Sequence, residues 1–400
     1  MRYSLYTSFI ILLILLLGSC RNSQDEKYDW LIKGVDLAAY QLKMTSEEIA
    51  DSTKLPRSIR NGSRRLEGIR DWTSGFFPGS LWLEYELTGD DYFKTQATKF
   101  TNRLYDLKDY KGTHDLGFML GCSFGNAYKL SPADSIMTVF RDGAESLSSR
   151  YDDTIRAIRS WDFGEWNYPV IIDNMMNLNF LFYASELTQD EKYRKIAIEH
   201  ANTTMKNHFR DNYSSYHLVS YLPSGGVELK GTFQGFSDNS SWARGQAWAV
   251  YGYLDCYEAT HNKEYLDFAV KIADYIINSV KTDDMIPYWD YNALDIPNAP
   301  RDASAAAITS SALLKLSTLI DEGTDYFNYA ESILKSLSSE KYLSEKGQNQ
   351  GFILMHSVGN LPNNSEIDTP LNYADYYYLE AIKRYANIKN IDTKSLLSNK

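Results

Sequence analysis

The chain has 400 residues, 44% of them hydrophobic and 23% charged, which is ample for a large core and lies between one big domain and two ordinary ones. A net charge of −11 without any Lys/Arg stripe argues against nucleic acid as a partner and against an electrostatic hold on an anionic membrane. The 31 tyrosines and 8 tryptophans offer flat rings with polar edges, a surface that suits carbohydrate, although a Tyr-rich core would look the same.

In chain order, Arg2 is followed by an apolar run from Phe9 to Leu17, then Gly18-Ser19-Cys20 and a polar stretch to Glu26. This pattern predicts a signal peptide over 1–19. Its Leu-Gly-Ser-Cys ending resembles a bacterial lipobox, which implies lipidation of Cys20 and an exported, lipid-anchored envelope protein facing the periplasm or the cell surface. The anchor is then the expected membrane contact, with 20–28 as a linker. Cys122 and Cys256 both fall in helix-like runs, so no disulfide framework is expected to support the fold.

Apolar residues at helical spacing predict about twelve helices, near 29–44, 75–88, 91–107, 114–130, 133–149, 174–187, 190–207, 242–259, 262–280, 302–320, 325–338 and 371–387. One of them shows Tyr265, Phe268, Ala269, Ile272, Ala273, Ile276 and Ile277 on a single face. Strand patterns are scarce, and 217–233 suits a hairpin around Pro223-Ser224-Gly225-Gly226. One folded domain is expected over 29–390, with 391–400 a polar tail.

A local repeat pairs the helices. "ELTGDDYF" (86–93), "ELTQDEKY" (186–193) and "EATHNKEY" (258–265) each end one helix, turn on Thr plus polar residues, and start the next with an aromatic. Repeated hairpins that cannot bury their apolar faces alone make either an all-α (α/α)6 barrel, a six-hairpin toroid, or an open solenoid. The long connections 150–173, 208–241, 281–301 and 339–370 favour the closed form, because they gather tryptophans and histidines on one rim while the short turns occupy the other. Long loops collected at one end of a rigid scaffold place the ligand site there.

Asp173 and Asp115 both stand where that rim feeds a helix. Either one alone suits a helix N-cap. Two that converge beside aromatic rings suit glycosidic chemistry, in which one carboxyl donates a proton while the other stays charged. In "SDNSSWARGQAW" (237–248), Arg244 and Trp248 stand four residues apart and should share a helix face, able to hold a carboxylate and stack on a sugar. A core position with a salt bridge fits them equally well. The six histidines show no metal-ligand spacing, so neither metal nor cofactor is expected, and His200 and His208 are expected at the surface.

The strings "DWTSGFFPGSLW" (71–82), "THDLGFML" (113–120), "IIDNMMNL" (171–178), "GTFQGFSDNSSWARGQAWAVYG" (231–252) and "DYYYLEAI" (375–382) resemble, in order, the unsaturated glucuronyl hydrolases of glycoside hydrolase family 88. The resemblance implies an (α/α)6 barrel that removes a 4,5-unsaturated uronic acid from the non-reducing end of oligosaccharides left by a polysaccharide lyase, glycosaminoglycan fragments first among them. It implies Asp173 as general acid/base and Asp115 as the second essential carboxylate. It further implies substrate contacts at Arg244, Trp248, Trp242, Gln234, Thr232 and Gly231, with His217 and His114 as additional sugar contacts. The related unsaturated rhamnogalacturonyl hydrolases of family 105 share the barrel and the aspartates, and Trp-Ala-Arg-Gly-Gln-Ala-Trp favours family 88. A non-catalytic oligosaccharide-binding toroid is the alternative from another class. The loop "MHSVGNLPNNSEIDTPL" (355–371) does not align with the family's loop near the second sugar, which leaves the polysaccharide open.

Overall fold

The computed structural model describes residues 27–398. The expected signal peptide and Cys20 lie outside them. Twelve helical segments alternate between an outer and an inner layer. The outer helices are α1 (Asp29–Glu48), α3 (Asp91–Asn102), α5 (Asp134–Ser148), α7 (Glu191–Asn207), α9 (Lys263–Ser279) and α11 (Thr324–Leu337). The inner ones are α2 (Phe76–Thr88), α4, α6 (Leu178–Thr188), α8 (Ala243–Thr260), α10 (Ala303–Ser317) and α12 (Asn372–Lys389), where α4 is wound as a π-helix over Gly117–Gly125 and as an α-helix over Asn126–Leu130.

Burial explains the two layers. Every residue of α10 from Ala303 to Leu316 is buried, as an inner helix enclosed on all sides requires. By contrast α9 buries Tyr265, Leu266, Ala269, Ile272, Ala273 and Ile276 on one stripe and turns its charges to water. Each inner helix packs on the next, and α12 returns to α2, so the ring closes as an (α/α)6 barrel and the open solenoid is excluded.

The repeated strings build the short turns by one device. Thr88, Thr188 and Thr260 donate their hydroxyls to the carbonyls of Glu84, Ala184 and Cys256, ending α2, α6 and α8. Gly89, Gln189 and His261 then adopt left-handed backbone at φ 72, 58 and 55°. Asp90, Asp190 and Asn262 cap the next helix by accepting from the N–H of Tyr92, Lys192 and Glu264.

The opposite rim holds the long connections. There β5 (Pro169–Ile171), β6 (Leu218–Tyr221) and β7 (Val227–Gly231) form an antiparallel sheet that contains the expected hairpin. A second hairpin, β1 (Leu55–Arg60) with β2 (Ser63–Glu67), occupies a connection not counted among the long loops. The pair β3 (Tyr151–Asp152) and β4 (Ala157–Ile158) shapes the loop before β5.

Two expectations are corrected. His200 and His208 are fully buried, not at the surface, because each pins the loop before Asp173: His200 Nδ1 accepts the N–H of Ile158 at 3.0 Å, and His208 Nε2 lies 3.0 Å from the carbonyl of Val170. Residues 391–398, expected in a polar tail, form α13 (Thr393–Ser398), held on the barrel by Thr393 Oγ1 on the carbonyl of Leu87 at 2.6 Å and by packing of Leu396 and Leu397.

Candidate active site

Between β5 and α6 the chain winds as a 3₁₀ turn, Ile172–Asn177, with every residue buried. Strand pairing sets its position: Ile171 faces Leu218, and Ile172 N–H donates to the carbonyl of His217 at 2.9 Å. His217 Nε2 thereby comes to 3.6 Å from Asp173 Oδ2. The other ring nitrogen, Nδ1, accepts the N–H groups of Phe233 at 2.9 Å and Gln234 at 3.2 Å. A neutral imidazole with two donors on Nδ1 must carry its proton on Nε2, on the side of Asp173. Neither Nε2 nor Asp173 Oδ2 has a hydrogen-bond partner, although both are buried. The Nε2–H and the carboxylate oxygen face one another across 3.6 Å, with no other side chain or backbone group of the described residues bonded to either.

Asp115 reaches the same place at the start of α4. A Cβ on Gly117 would stand 2.5 Å from the Cα of Asn177, so only glycine lets α4 approach the turn this closely. Asp115 Oδ2 accepts from Thr113 Oγ1 at 2.7 Å, and His114 Nε2 lies 3.2 Å from Oδ1. Burial pushes the Asp115 carboxyl above its usual range; the charges of Asp173 and Asp71 push the same way, against His114 and the Thr113 hydrogen bond. The aspartates therefore share one electrostatic site. Neither acts as a side-chain cap: the position at Phe118 N that Asp115 could fill is taken by Asn177 Oδ1 at 3.0 Å, and no side-chain cap bond opens the 3₁₀ turn or α6.

The other expected contacts divide. Trp242 meets the His217 ring edge to face at 4.8 Å and carries the Arg244 guanidinium at 4.5 Å. Arg244 is 1% exposed. Its Nη1 donates to Asp302 Oδ2 at 3.0 Å and to the carbonyl of Val358, while Nη2 donates to the carbonyl of Gly359 at 2.6 Å. Of the two readings open for Arg244, the core position with a salt bridge is the one found; the guanidinium stacks on Trp242, because Asp302 and the loop carbonyls hold it towards 358–359. Trp248 is wholly buried below, against Phe118 at 5.0 Å and Tyr377 at 5.3 Å. Gln234 joins the wall through Nε2 on the carbonyl of Gly359 at 3.1 Å. Thr232 Oγ1 accepts the N–H of Gly235 at 2.7 Å, and a Cβ on Gly231, at the end of β7, would stand only 2.7 Å from Asp238 Oδ1, so these two shape the loop from behind.

Sequence reasoning did not single out Asp71, Trp72, Arg57, Asp302 or Phe233. Trp72 packs on Phe118 at 5.5 Å and Tyr373 at 4.9 Å, extending the aromatic floor with Phe76. Asp71 and Trp72 open "DWTSGFFPGSLW", so the signal for them was present. Beneath the floor a separate cavity of about 780 Å³ opens among the short turns beside Glu186, Gln189, Lys315 and Glu380; Asp115 and Asp173 do not line it.

The chain is 49% identical over 344 residues to an unsaturated glucuronyl hydrolase of Formosa agariphila, covering 84% of this chain and 86% of that protein. It is 32% identical over 364 residues to an unsaturated chondroitin disaccharide hydrolase of Streptococcus agalactiae, covering 88% and 90%.

The chain belongs to the unsaturated glucuronyl hydrolases of glycoside hydrolase family 88.

A crystal structure of an unsaturated glucuronyl hydrolase specific for heparin superposes with a TM-score of 0.89 at 50% identity, over 92% of this chain and 100% of that one. The family model DUF4995, described as a domain of unknown function, matches residues 3–65, which take in most of the β1–β2 hairpin. The protein is accordingly a glycosidase that removes an unsaturated uronate from oligosaccharides.

Proposed function

We propose that Asp173 protonates C4 of the C4=C5 enol ether, leaving an oxocarbenium-like centre at C5 that the Asp115 carboxylate stabilises. Water adds at C5, and the resulting hemiketal opens and expels the remaining saccharide. The observation that carries this reading is the Asp173 carboxylate set 3.6 Å from His217 Nε2 and within electrostatic reach of Asp115. Because protonation falls on carbon, the carboxylate spacing rule for retaining and inverting glycosidases does not apply.

Unsaturated disaccharides from glycosaminoglycans are the proposed substrates, heparin-type first, in keeping with the 50% identity to a heparin-specific structure. Such ends arise by elimination, so a polysaccharide lyase supplies them. Lipidation at Cys20 places the enzyme on the envelope, where lyase products arrive; Cys20→Ala should release it from the membrane fraction.

The test is a panel of unsaturated disaccharides differing in linkage and sulfation, followed by loss of absorbance of the conjugated double bond. Turnover is expected for a glycosaminoglycan member, and no loss with any uronate overturns the reading.

A further inference from the structure

Arg57 lies on β1, outside every string that carries the family resemblance. Its Nη1 donates to Asp71 Oδ2 at 2.6 Å, while Nε and Nη2 donate to the two oxygens of Glu366 at 2.8 and 2.9 Å. A two-pronged guanidinium–carboxylate contact fixes direction as well as distance.

Glu366 is the keystone of the Ser357–Thr369 loop. Its carboxylate also accepts from Ser58 Oγ at 2.8 Å and Arg65 Nη1 at 3.0 Å, and its side chain is 4% exposed. Burial opposes its charge, yet the Arg57 hydrogen bonds and the neighbouring cations hold the carboxyl below its usual range. Glu366 has left-handed backbone at φ 57°, and the N–H of Gly359 donates to its carbonyl at 2.6 Å. A Cβ on Gly359 would lie 2.5 Å from Glu366 Oε2, so the loop is folded tightly round this side chain. The carbonyls of Val358 and Gly359 are the ones Arg244 holds.

The other prong leads to the reacting groups. Asp71 Oδ1 accepts from the N–H and hydroxyl of Thr73 at 3.0 and 2.7 Å, so its carboxylate cannot turn away. Its charge reaches Asp115, which is otherwise faced by Asp173 from the 3₁₀ turn and by His114 and Thr113 of its own segment.

We propose that Arg57 is a positioning residue for this reaction: through Glu366 one guanidinium sets the loop whose carbonyls hold Arg244 and Gln234, and through its contact with Asp71 it offsets a charge beside Asp115. The inference rests on the reading of Asp115 as the second essential carboxylate. Without Arg57, Asp71 acts unshielded, Asp115 keeps its proton to higher pH, and the loop loses its anchor.

The experiment compares Arg57→Ala, Arg57→Lys, Glu366→Gln and Arg57→Ala/Asp71→Asn in the full chain, with kcat and KM measured against pH on a disaccharide turned over by the wild type. For Arg57→Ala, the acid limb of kcat/KM is expected to move up by about half a pH unit or more, with KM several-fold higher. Millimolar guanidinium should restore both, and Asp71→Asn should return the limb alone. Glu366→Gln should raise KM and leave the limb in place. Arg57→Lys keeps the charge without the fork, so it should show the KM change with an unmoved limb, and it carries the test if the alanine variant does not fold. A pH-independent fall in kcat with an unmoved limb and no guanidinium rescue overturns the proposal. Full turnover by Asp115→Asn would instead overturn the reading beneath it, whatever Arg57 does.

Discussion

The side-chain carbonyl of Asn177 accepts the backbone N–H of Phe118 at 3.0 Å, filling the cap position that Asp115 leaves open. An aspartate at the start of a helix is ordinarily spent on such a bond. Here an asparagine from a neighbouring segment does the capping, and the Asp115 carboxylate turns to the Thr113 hydroxyl and His114 instead. Asn177→Ala should lower stability by about 1–2 kcal/mol, since the N–H of Phe118 is left buried and unpaired. Thermal melting checks this. Asn177→Asp keeps the acceptor but adds a further negative charge near Asp115 beside those of Asp173 and Asp71, and should move the acid limb of kcat/KM to higher pH with a smaller loss of stability.

His217 is expected to separate by isosteres. Asparagine places an oxygen near the Nδ1 position and preserves the bonds to Phe233 and Gln234, but offers nothing to Asp173. Glutamine places an N–H near Nε2 and keeps that donor. His217→Gln should therefore retain more kcat than His217→Asn, which should lose roughly 10²-fold, the low end of what a positioned proton-handling group contributes. Equal losses in the two variants would show that the Nε2–H has no part in turnover.

Removing the proton itself is the direct test of the aspartates. Asp173→Asn keeps size and polarity but donates nothing to carbon, and should cost about 10³-fold or more in kcat with KM little changed. Single-turnover kinetics and disaccharide binding by calorimetry distinguish this from loss of affinity. A non-catalytic sugar-binding toroid would have no kcat to lose.

Much of this was legible in the chain. The Thr, left-handed residue and Asp/Asn cap of the short turns is a local device, so "ELTGDDYF" and its copies disclosed the hairpins without knowledge of tertiary structure. That Asp173 and Asp115 come within electrostatic reach of one another was legible through "IIDNMMNL" and "THDLGFML", since both stand where the long-loop rim feeds a helix. The β1–β2 hairpin was hidden although Asn61-Gly62, at φ 52 and 74°, is a strong turn signal, because Arg57, Arg60, Arg64 and Arg65 break the apolar alternation expected of its strands. Three of those arginines, Arg57, Arg64 and Arg65, meet Glu366, Asp71 and Glu48 from other segments, and no spacing rule shows such partners. For Arg244 the core position with a salt bridge was legible, but not the partners: Asp302, Val358 and Gly359 lie far along the chain.

Arg244→Lys tests that last set. One guanidinium serves a buried carboxylate and two buried carbonyls, and a single ammonium on a flexible stem cannot reproduce the fork. The substitution should cost about 2–4 kcal/mol of stability, as for a buried pair left partly unmatched, together with a raised KM as the 358–359 wall loosens. Denaturant unfolding measures the first and initial rates the second. An unchanged KM would separate the loop from substrate recognition.

The two buried histidines make stability depend on pH. Burial depresses His200 to about 3 and His208 to about 4, so both are neutral in the folded protein, while the unfolded chain takes up their protons near pH 6.5. The depressed base favours the folded state fully above the unfolded value, and that advantage is lost as pH falls from about 6.5 towards the folded values. At about 1.4 kcal/mol for each tenfold difference in proton affinity between the two states, the loss across that window is about 5 kcal/mol for His200 and about 3 kcal/mol for His208. Because Ile158 and Val170 are the groups these rings hold, unfolding by acid should begin in the loop that leads to Asp173. His208→Gln keeps an N–H for the carbonyl of Val170 without a titrating ring, and should flatten the fall in melting temperature between pH 6.5 and 4.5. A parallel fall in wild type and variant would assign the acid sensitivity to other groups.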